Sequence, residues 1–219
     1  MESRTFCFSN NYLGEFRMEM KTVIITGVPG VGKTTVIGEL SNLLKERGIS
    51  YFIANFGDFM LKSAISEGLV TSRDQIRKLS HRLQVKLQGI AAREIANEAR
   101  KQLANGGILI VDTHAIVKTS TGYWPGLPSH VVEELNPDVI AVLEASAEEI
   151  YRRQSEDRTR DRKDIQERGI EEIRELMLYA RVAAISSAVV SGASVLQVLN
   201  ERGKAREAAE TILRVIDVI

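Results

Sequence analysis

The chain has 219 residues, 44% of them hydrophobic, and 29 lysines and arginines balance 29 aspartates and glutamates. That size and apolar share suit one ordinary domain with a core that needs neither disulfides nor metals, and the neutral balance leaves no global basic field to hold nucleic acid. A single cysteine, Cys7, excludes an internal disulfide and a cysteine-rich zinc site and fits a reducing cytoplasm, while no stretch approaches the roughly 20 apolar residues of a membrane-spanning helix.

Residues 1–19 carry Glu2, Glu15 and Glu19 among Arg4 and Arg17 without a continuous apolar core, so they match neither a secretory signal nor an acid-poor transit peptide. They are read as a tail ahead of a domain spanning residues 20–219. The first predicted strand is Thr22–Thr26, and Gly27–Thr34 follows as GVPGVGKT before a helical stretch over Thr35–Glu46. This is G-x-x-x-x-G-K-[ST] in the context a P-loop requires: a strand to deliver it, glycines where backbone curls round an anion, and a helix N-terminus whose N–H groups face phosphates. Gly27, Val28, Pro29, Gly30, Val31, Gly32, Lys33 and Thr34 are therefore expected to cradle a nucleoside triphosphate. Lys33 reaches the β- and γ-phosphates, and the Thr34 hydroxyl joins a Mg²⁺ shell.

The second strand, Tyr51–Asn55, leads into Asn55-Phe56-Gly57-Asp58, where Gly57 permits a turn and Asp58 either caps the next helix or touches a ligand. Next, Ile76, Leu79, Leu83, Leu87, Ile90 and Ile95 recur at mostly three- and four-residue steps, predicting one long helix with a core-facing stripe. The third strand, Ile108–Asp112, ends four apolar residues in an acid, the Walker B arrangement that holds a Mg²⁺ shell opposite the P-loop hydroxyl. His114, two residues on, is either a hydrogen-bonded structural group or a group that orients a phosphate or water. The loop Lys118–Pro128 holds the only tryptophan, two of the four prolines and two glycines. Its adjacent Tyr123 and Trp124 favour a pocket wall over a surface cover.

After the fourth strand, Val139–Leu143, five arginines fall within residues 152–162: Arg152, Arg153, Arg158, Arg160 and Arg162. Interleaved acids make a solvated helix face the default for such a run. Beside a P-loop, arginines have a second use, because a transferring phosphoryl group spreads negative charge over its oxygens. A mobile segment carrying them also keeps water out and prevents hydrolysis. A helical stripe over Ile170, Ile173, Met177, Ala180 and Ala184 precedes the fifth strand, Val195–Leu199, and Ala205, Ala208, Ala209, Ile212, Leu213 and Ile216 mark the last helix. Five strands with helices between them predict an α/β, three-layer P-loop NTPase fold: a five-stranded parallel sheet covered on both faces, binding ligands at its carboxyl ends.

GVPGVGKTT, NFGDFM, the run Arg73–Leu79, DTHAIVKTSTGYWPGLP, ELNPDVI and Thr159-Arg160-Asp161-Arg162 together resemble the archaeal-type adenylate kinases, from Met20 to the C-terminus. The resemblance implies lid and monophosphate-binding insertions on the core, transfer from ATP to AMP giving two ADP, Mg²⁺ dependence, and a cytoplasmic homotrimer. It also implies that Gly27 to Thr35 form the ATP phosphate loop, that Asp112 serves the Mg²⁺ shell, and that Arg160 and Arg162 act from a lid at about residues 155–168. Arg77 and Lys118 look like acceptor-side phosphate contacts; independently of the resemblance, Asp58 is a candidate contact for the same acceptor, and its base can stack beside Tyr123 or Trp124. Arg158 departs from the pattern, and residues 1–19 precede the usual start, so Met20 is the expected initiator. Two other functions share these features: a nucleotide-dependent switch, and a kinase for a small non-nucleotide alcohol. Asn136-Pro137-Asp138 lacks the lysine of a guanine-reading Asn-Lys-x-Asp run, which argues against a GTPase switch.

Overall fold

A computed structural model describes residues 20–119, 122–156 and 169–219. The tail, Arg158, Arg160 and Arg162 lie outside the described residues, as does the expected lid beyond Glu156. In chain order the elements are β1 (Met20–Thr26), α1 (Lys33–Glu46), β2 (Tyr51–Asn55), α2 (Phe56–Ser66), α3 (Arg73–Ile76), α4 (His81–Gln102) and β3 (Gly107–Asp112). There follow β4 (Ile116–Thr119), β5 (Gly122–Pro125), α5 (Ser129–Leu135), β6 (Val139–Glu144), α6 (Ala147–Glu156), α7 (Ile170–Ser191), β7 (Ser194–Leu199) and α8 (Ala205–Ile216).

Five strands form one parallel sheet in the order β2-β3-β1-β6-β7. The three central strands are the most apolar, as burial on both faces demands. Their residues alternate between two cores. Val23, Ile25, Ile108, Ile110, Val139, Ala141 and Leu143 pack under α1, α6 and α8, whereas Ile24, Leu109, Val111, Ile140 and Val142 face α4, α5 and part of α7. On α8, Ala208, Ala209, Ile212, Leu213 and Ile216 are buried at helical spacing, and full burial of a side chain such as Ile212 stabilises by about 1.5–3 kcal/mol. The first four predicted strands match to within a residue or two, and the fifth gains only Ser194.

Three local readings need correction. The stripe from Ile76 to Ile95 is not one helix: α3 stops at Ile76 and α4 starts at His81. Ile76 joins Ala64, Val70 and Leu87 in a small separate core under α2, so apolar periodicity persisted across a break it could not reveal. The aromatic segment is a hairpin, β4 pairing antiparallel with β5. Its proline content concealed the pairing, because Pro125 sits at a strand end where its missing N–H costs no ladder bond. Gly57 lies inside α2 rather than in a turn. A Cβ there would stand 1.9 Å from Arg73 Nη2, so the glycine serves a close approach.

The chain turns from α5 into β6 at Asn136, whose φ of 43° ends the helix in the left-handed region. Asp138 then accepts a hydrogen bond from the Thr22 N–H at 2.7 Å, locking the start of β6 beside β1.

Candidate active site

At the carboxyl end of β1 the backbone enters the phosphate loop. Gly27, Gly30 and Gly32 take φ values of 157°, 86° and 92°, conformations that side chains rarely tolerate. Gly32 occupies the N-cap of α1, with no side-chain cap bond and no acid in the first turn. The helix therefore presents unsatisfied N–H groups and the positive end of its dipole to an anion. Thr34 and Thr35 are exposed on that first turn.

β3 lies beside β1 with Asp112 in register with Ile25, which places the Walker acid next to the loop. Lys33 Nζ stands 3.8 Å from Asp112 Oδ1. The other carboxylate oxygen accepts a 2.9 Å hydrogen bond from Asn55 Nδ2, and Asn55 reaches it because β2 sets Asn55 opposite Asp112. Oδ1 is buried and has no hydrogen-bond partner among the described residues. An oxygen ligand of this kind, beside an exposed threonine hydroxyl, suits a hard cation such as Mg²⁺. Burial pushes the Asp112 carboxyl above the ordinary carboxylate range, against the opposing pull of Lys33, the Asn55 hydrogen bond and Arg73.

Two residues with alternative readings make hydrogen bonds within the protein. Asn55, not Asp58, caps α2: its Oδ1 accepts from the Asp58 backbone N–H at 3.2 Å. The Asp58 carboxylate instead accepts from Arg73 Nη1 at 3.1 Å. His114 Nδ1 is 2.7 Å from the Gly27 carbonyl oxygen. A carbonyl only accepts, so Nδ1 carries the hydrogen, and the 3.5 Å approach of Lys33 Nζ to that same nitrogen is a contact rather than a donated bond. His114 is thus a hydrogen-bonded tether on the loop entrance.

On the acceptor side the expected residues separate. Lys118 and Tyr123 face each other across the hairpin, and with Glu171, Glu172, Arg174 and Tyr179 they line an open cavity of about 720 Å³ against α7. Lys118 Nζ is ion-paired with Glu172. Tyr123 packs edge-on against Tyr179, ring centroids 4.8 Å apart, and Trp124 against His81 at 5.1 Å. Arg77 is exposed at the end of α3, away from this wall in sequence and element. Arg73, one turn earlier, reaches Asp58 and Gly57 and acts electrostatically on Asp112. Sequence reasoning missed Asn55 and Arg73. Asn55 had a signal, being the last residue of a strand; Arg73 had none, because its approach depends on the missing Cβ of Gly57, far from it along the chain.

The arginine cluster divides. Arg152 pairs with Glu149 and Glu156 on the solvated side of α6. Arg153 turns toward the phosphate loop.

Three comparisons agree with this geometry. A family model described as an AAA domain matches residues 26–173. The adenylate kinase of Saccharolobus solfataricus is 47% identical over 194 residues, covering 89% of this chain and 98% of that protein. The adenylate kinase of Methanocaldococcus jannaschii is 42% identical over 199 residues, covering 91% and 100%. In fold alone the chain is similar to a shikimate kinase from Bacteroides thetaiotaomicron, with 12% identity, a TM-score of 0.54 and 90% and 99% of the two chains covered. With a P-loop, a Walker acid in register beside it and two such relatives along nearly their whole length, the chain belongs to the adenylate kinase family.

Proposed function

We propose that the chain transfers the γ-phosphoryl group of ATP to AMP, giving two ADP, with its strand ends dividing the work. The observation that supports this most is the junction of Lys33, the open N-terminus of α1 and Asp112 on two adjacent parallel strands. Gly27 to Thr35 bind the triphosphate, and Lys33 follows the charge on its β- and γ-oxygens. Thr34 and Asp112 would hold Mg²⁺, which when bound neutralises phosphate charge and orients the leaving group. Asn55 keeps Asp112 aimed at that position.

AMP lies on the other side of the strand ends, so that its phosphate meets the γ-phosphorus in line. Arg77 supplies a cation for it, joined by Arg73, whose present partner Asp58 sits beside the α2 N-terminus, whereas Lys118 would have to leave its pair with Glu172 to reach the same phosphate. The base stacks by Tyr123, which is 38% exposed. Arg160 and Arg162 meet the charge that develops during transfer. Each of Arg160→Ala and Arg162→Ala is expected to lower kcat by on the order of 100-fold with little change in ATP binding; an effect confined to KM for ATP would reduce them to a binding patch.

We further propose a cytoplasmic homotrimer. No helix among the described residues is long and apolar enough to cross a membrane. The outer face of α7 carries Leu178, Val182, Ile185 and Val189, each between 47% and 80% exposed and spaced at i, i+4, i+7 and i+11. Such a stripe needs cover.

The decisive experiment is a coupled assay of ADP formation from ATP with AMP, GMP, CMP and UMP at equal concentration, and with a sugar and a shikimate-like alcohol. AMP is expected to react fastest. Faster reaction with CMP or UMP overturns the acceptor, and transfer only to an alcohol overturns the monophosphate kinase reading.

A further inference from the structure

A loop that points its N–H groups inward at phosphates must point carbonyls outward, and a shielded carbonyl needs a donor. In this chain those donors come from other strand ends. His114, just after β3, donates to the Gly27 carbonyl. From α6, which follows β6, Gln154 Nε2 donates to the Pro29 carbonyl at 2.6 Å and Arg153 Nη1 to that of Val31 at 2.9 Å. From the end of β7, Asn200 Nδ2 donates to the same Val31 carbonyl at 2.8 Å. Arg153 is itself pinned, with Nε on Glu149 at 2.7 Å and Nη2 on the Asn200 carbonyl at 3.0 Å. Gln154 and Asn200 are only 6% and 3% exposed.

The fit is tight on the loop's side as well. A Cβ on Gly30 would come within 2.7 Å of Gln154 Cγ, and one on Gly32 within 2.6 Å of Asn200 Nδ2. The Gln154 amide has only one workable orientation, since its reversal would set two oxygens against each other at Pro29. Its Oε1 is buried without a hydrogen-bond partner among the described residues. An acceptor left in that state shows that the donor is the part of the amide the site uses.

We propose that Arg153, Gln154 and Asn200 are positioning residues of the triphosphate site: by tying the Pro29 and Val31 carbonyls outward, they hold the loop's N–H groups turned inward before nucleotide arrives. They act through the loop backbone. Rotation of the Pro29–Gly30 or Val31–Gly32 peptide would remove a donor and face an oxygen to phosphate; the glycines at 30 and 32 permit that rotation unless the carbonyls are held. A preorganised nest avoids the ordering cost on binding. The inference rests on Gly27 to Thr35 being the ATP site.

The test is calorimetric titration of the full chain with ATP and, separately, AMP, alongside melting temperature. Gln154→Met keeps length and volume but loses the donor, and Kd for ATP is expected to rise about tenfold while Kd for AMP stays within about twofold. Arg153→Ala is expected to behave alike and to recover in part with free guanidinium ion, which refills the donor site. Arg153→Lys, which retains charge without the fork, should lie between wild type and Arg153→Ala, and it decides the matter if the alanine variant does not fold. Unchanged ATP binding in Gln154→Met and Arg153→Lys overturns the proposal. So does a parallel loss of ATP binding, AMP binding and melting temperature, which marks a purely structural role. Lys33→Ala, run beside them, separates the premise: wild-type ATP affinity in that variant removes the loop as the ATP site and the proposal with it.

Discussion

Lys33 and Asp112 face each other at 3.8 Å with both side chains largely buried, and the carboxylate bears a net penalty for its position. The native state holds its proton to higher pH than the unfolded chain does. Stability therefore falls as pH rises through the interval between the two pKa values and remains reduced above it. Asp112→Asn removes that penalty. At neutral pH its melting temperature is expected to equal or exceed that of wild type, the difference closing below the ordinary carboxylate range, while phosphoryl transfer is lost. A variant markedly less stable than wild type at neutral pH would show that the pairs to Lys33 and Asn55 outweigh desolvation. On the acceptor side, Arg73→Ala is expected to raise KM for AMP about tenfold and KM for ATP little, through loss of a charge-assisted contact. Arg77→Ala should shift in the same direction. Steady-state kinetics with each substrate varied in turn separates the two. Single residues were the least legible scale. Lys33 and Asp112 could be read because a motif and a strand end mark them, whereas Arg153, Gln154 and Asn200 bind backbone, which leaves no pattern along the chain. Asn200 had one available cue, its place directly after the fifth strand.

Whole elements were far more legible, because burial on both faces forces central strands to be continuous apolar runs. The element most readily tested is α8. Ile212→Ala leaves a cavity between α8 and the sheet and is expected to cost about 2–5 kcal/mol in urea unfolding, with kcat unchanged at temperatures where the protein stays folded. A loss under 1 kcal/mol would mean that the site collapses around the missing atoms. Element reading failed where two apolar faces share one helix. On α7, Ile173, Leu176, Ala180 and Ala184 are buried, while Leu178, Val182, Ile185 and Val189 look outward. The predicted stripe over Ile170, Ile173, Met177, Ala180 and Ala184 covers the inner face without Leu176 and conceals the outer one. If the outer stripe closes an oligomer, Val182→Glu with Ile185→Glu should convert it to monomers without unfolding them, as light scattering would report. A wild-type chain that scatters as a monomer at all concentrations removes the trimer.

For the molecule as a whole, topology decides when the site comes into being. β1 is the first of the described strands to be made, yet it lies in the middle of the sheet, between β3 and β6. Its Thr22 N–H waits for Asp138, and Lys21 Nζ bonds the carbonyl of Ile216 across 195 positions. During synthesis the phosphate loop therefore emerges early on a strand with no neighbours, and the residues that fasten it follow at positions 153, 154 and 200. Such long-range closure slows folding and leaves an apolar strand exposed meanwhile. A nascent chain halted before β7 should thus be protease-sensitive and unable to retain ATP, and the ability to bind nucleotide should arrive only once β7 and Asn200 have been made.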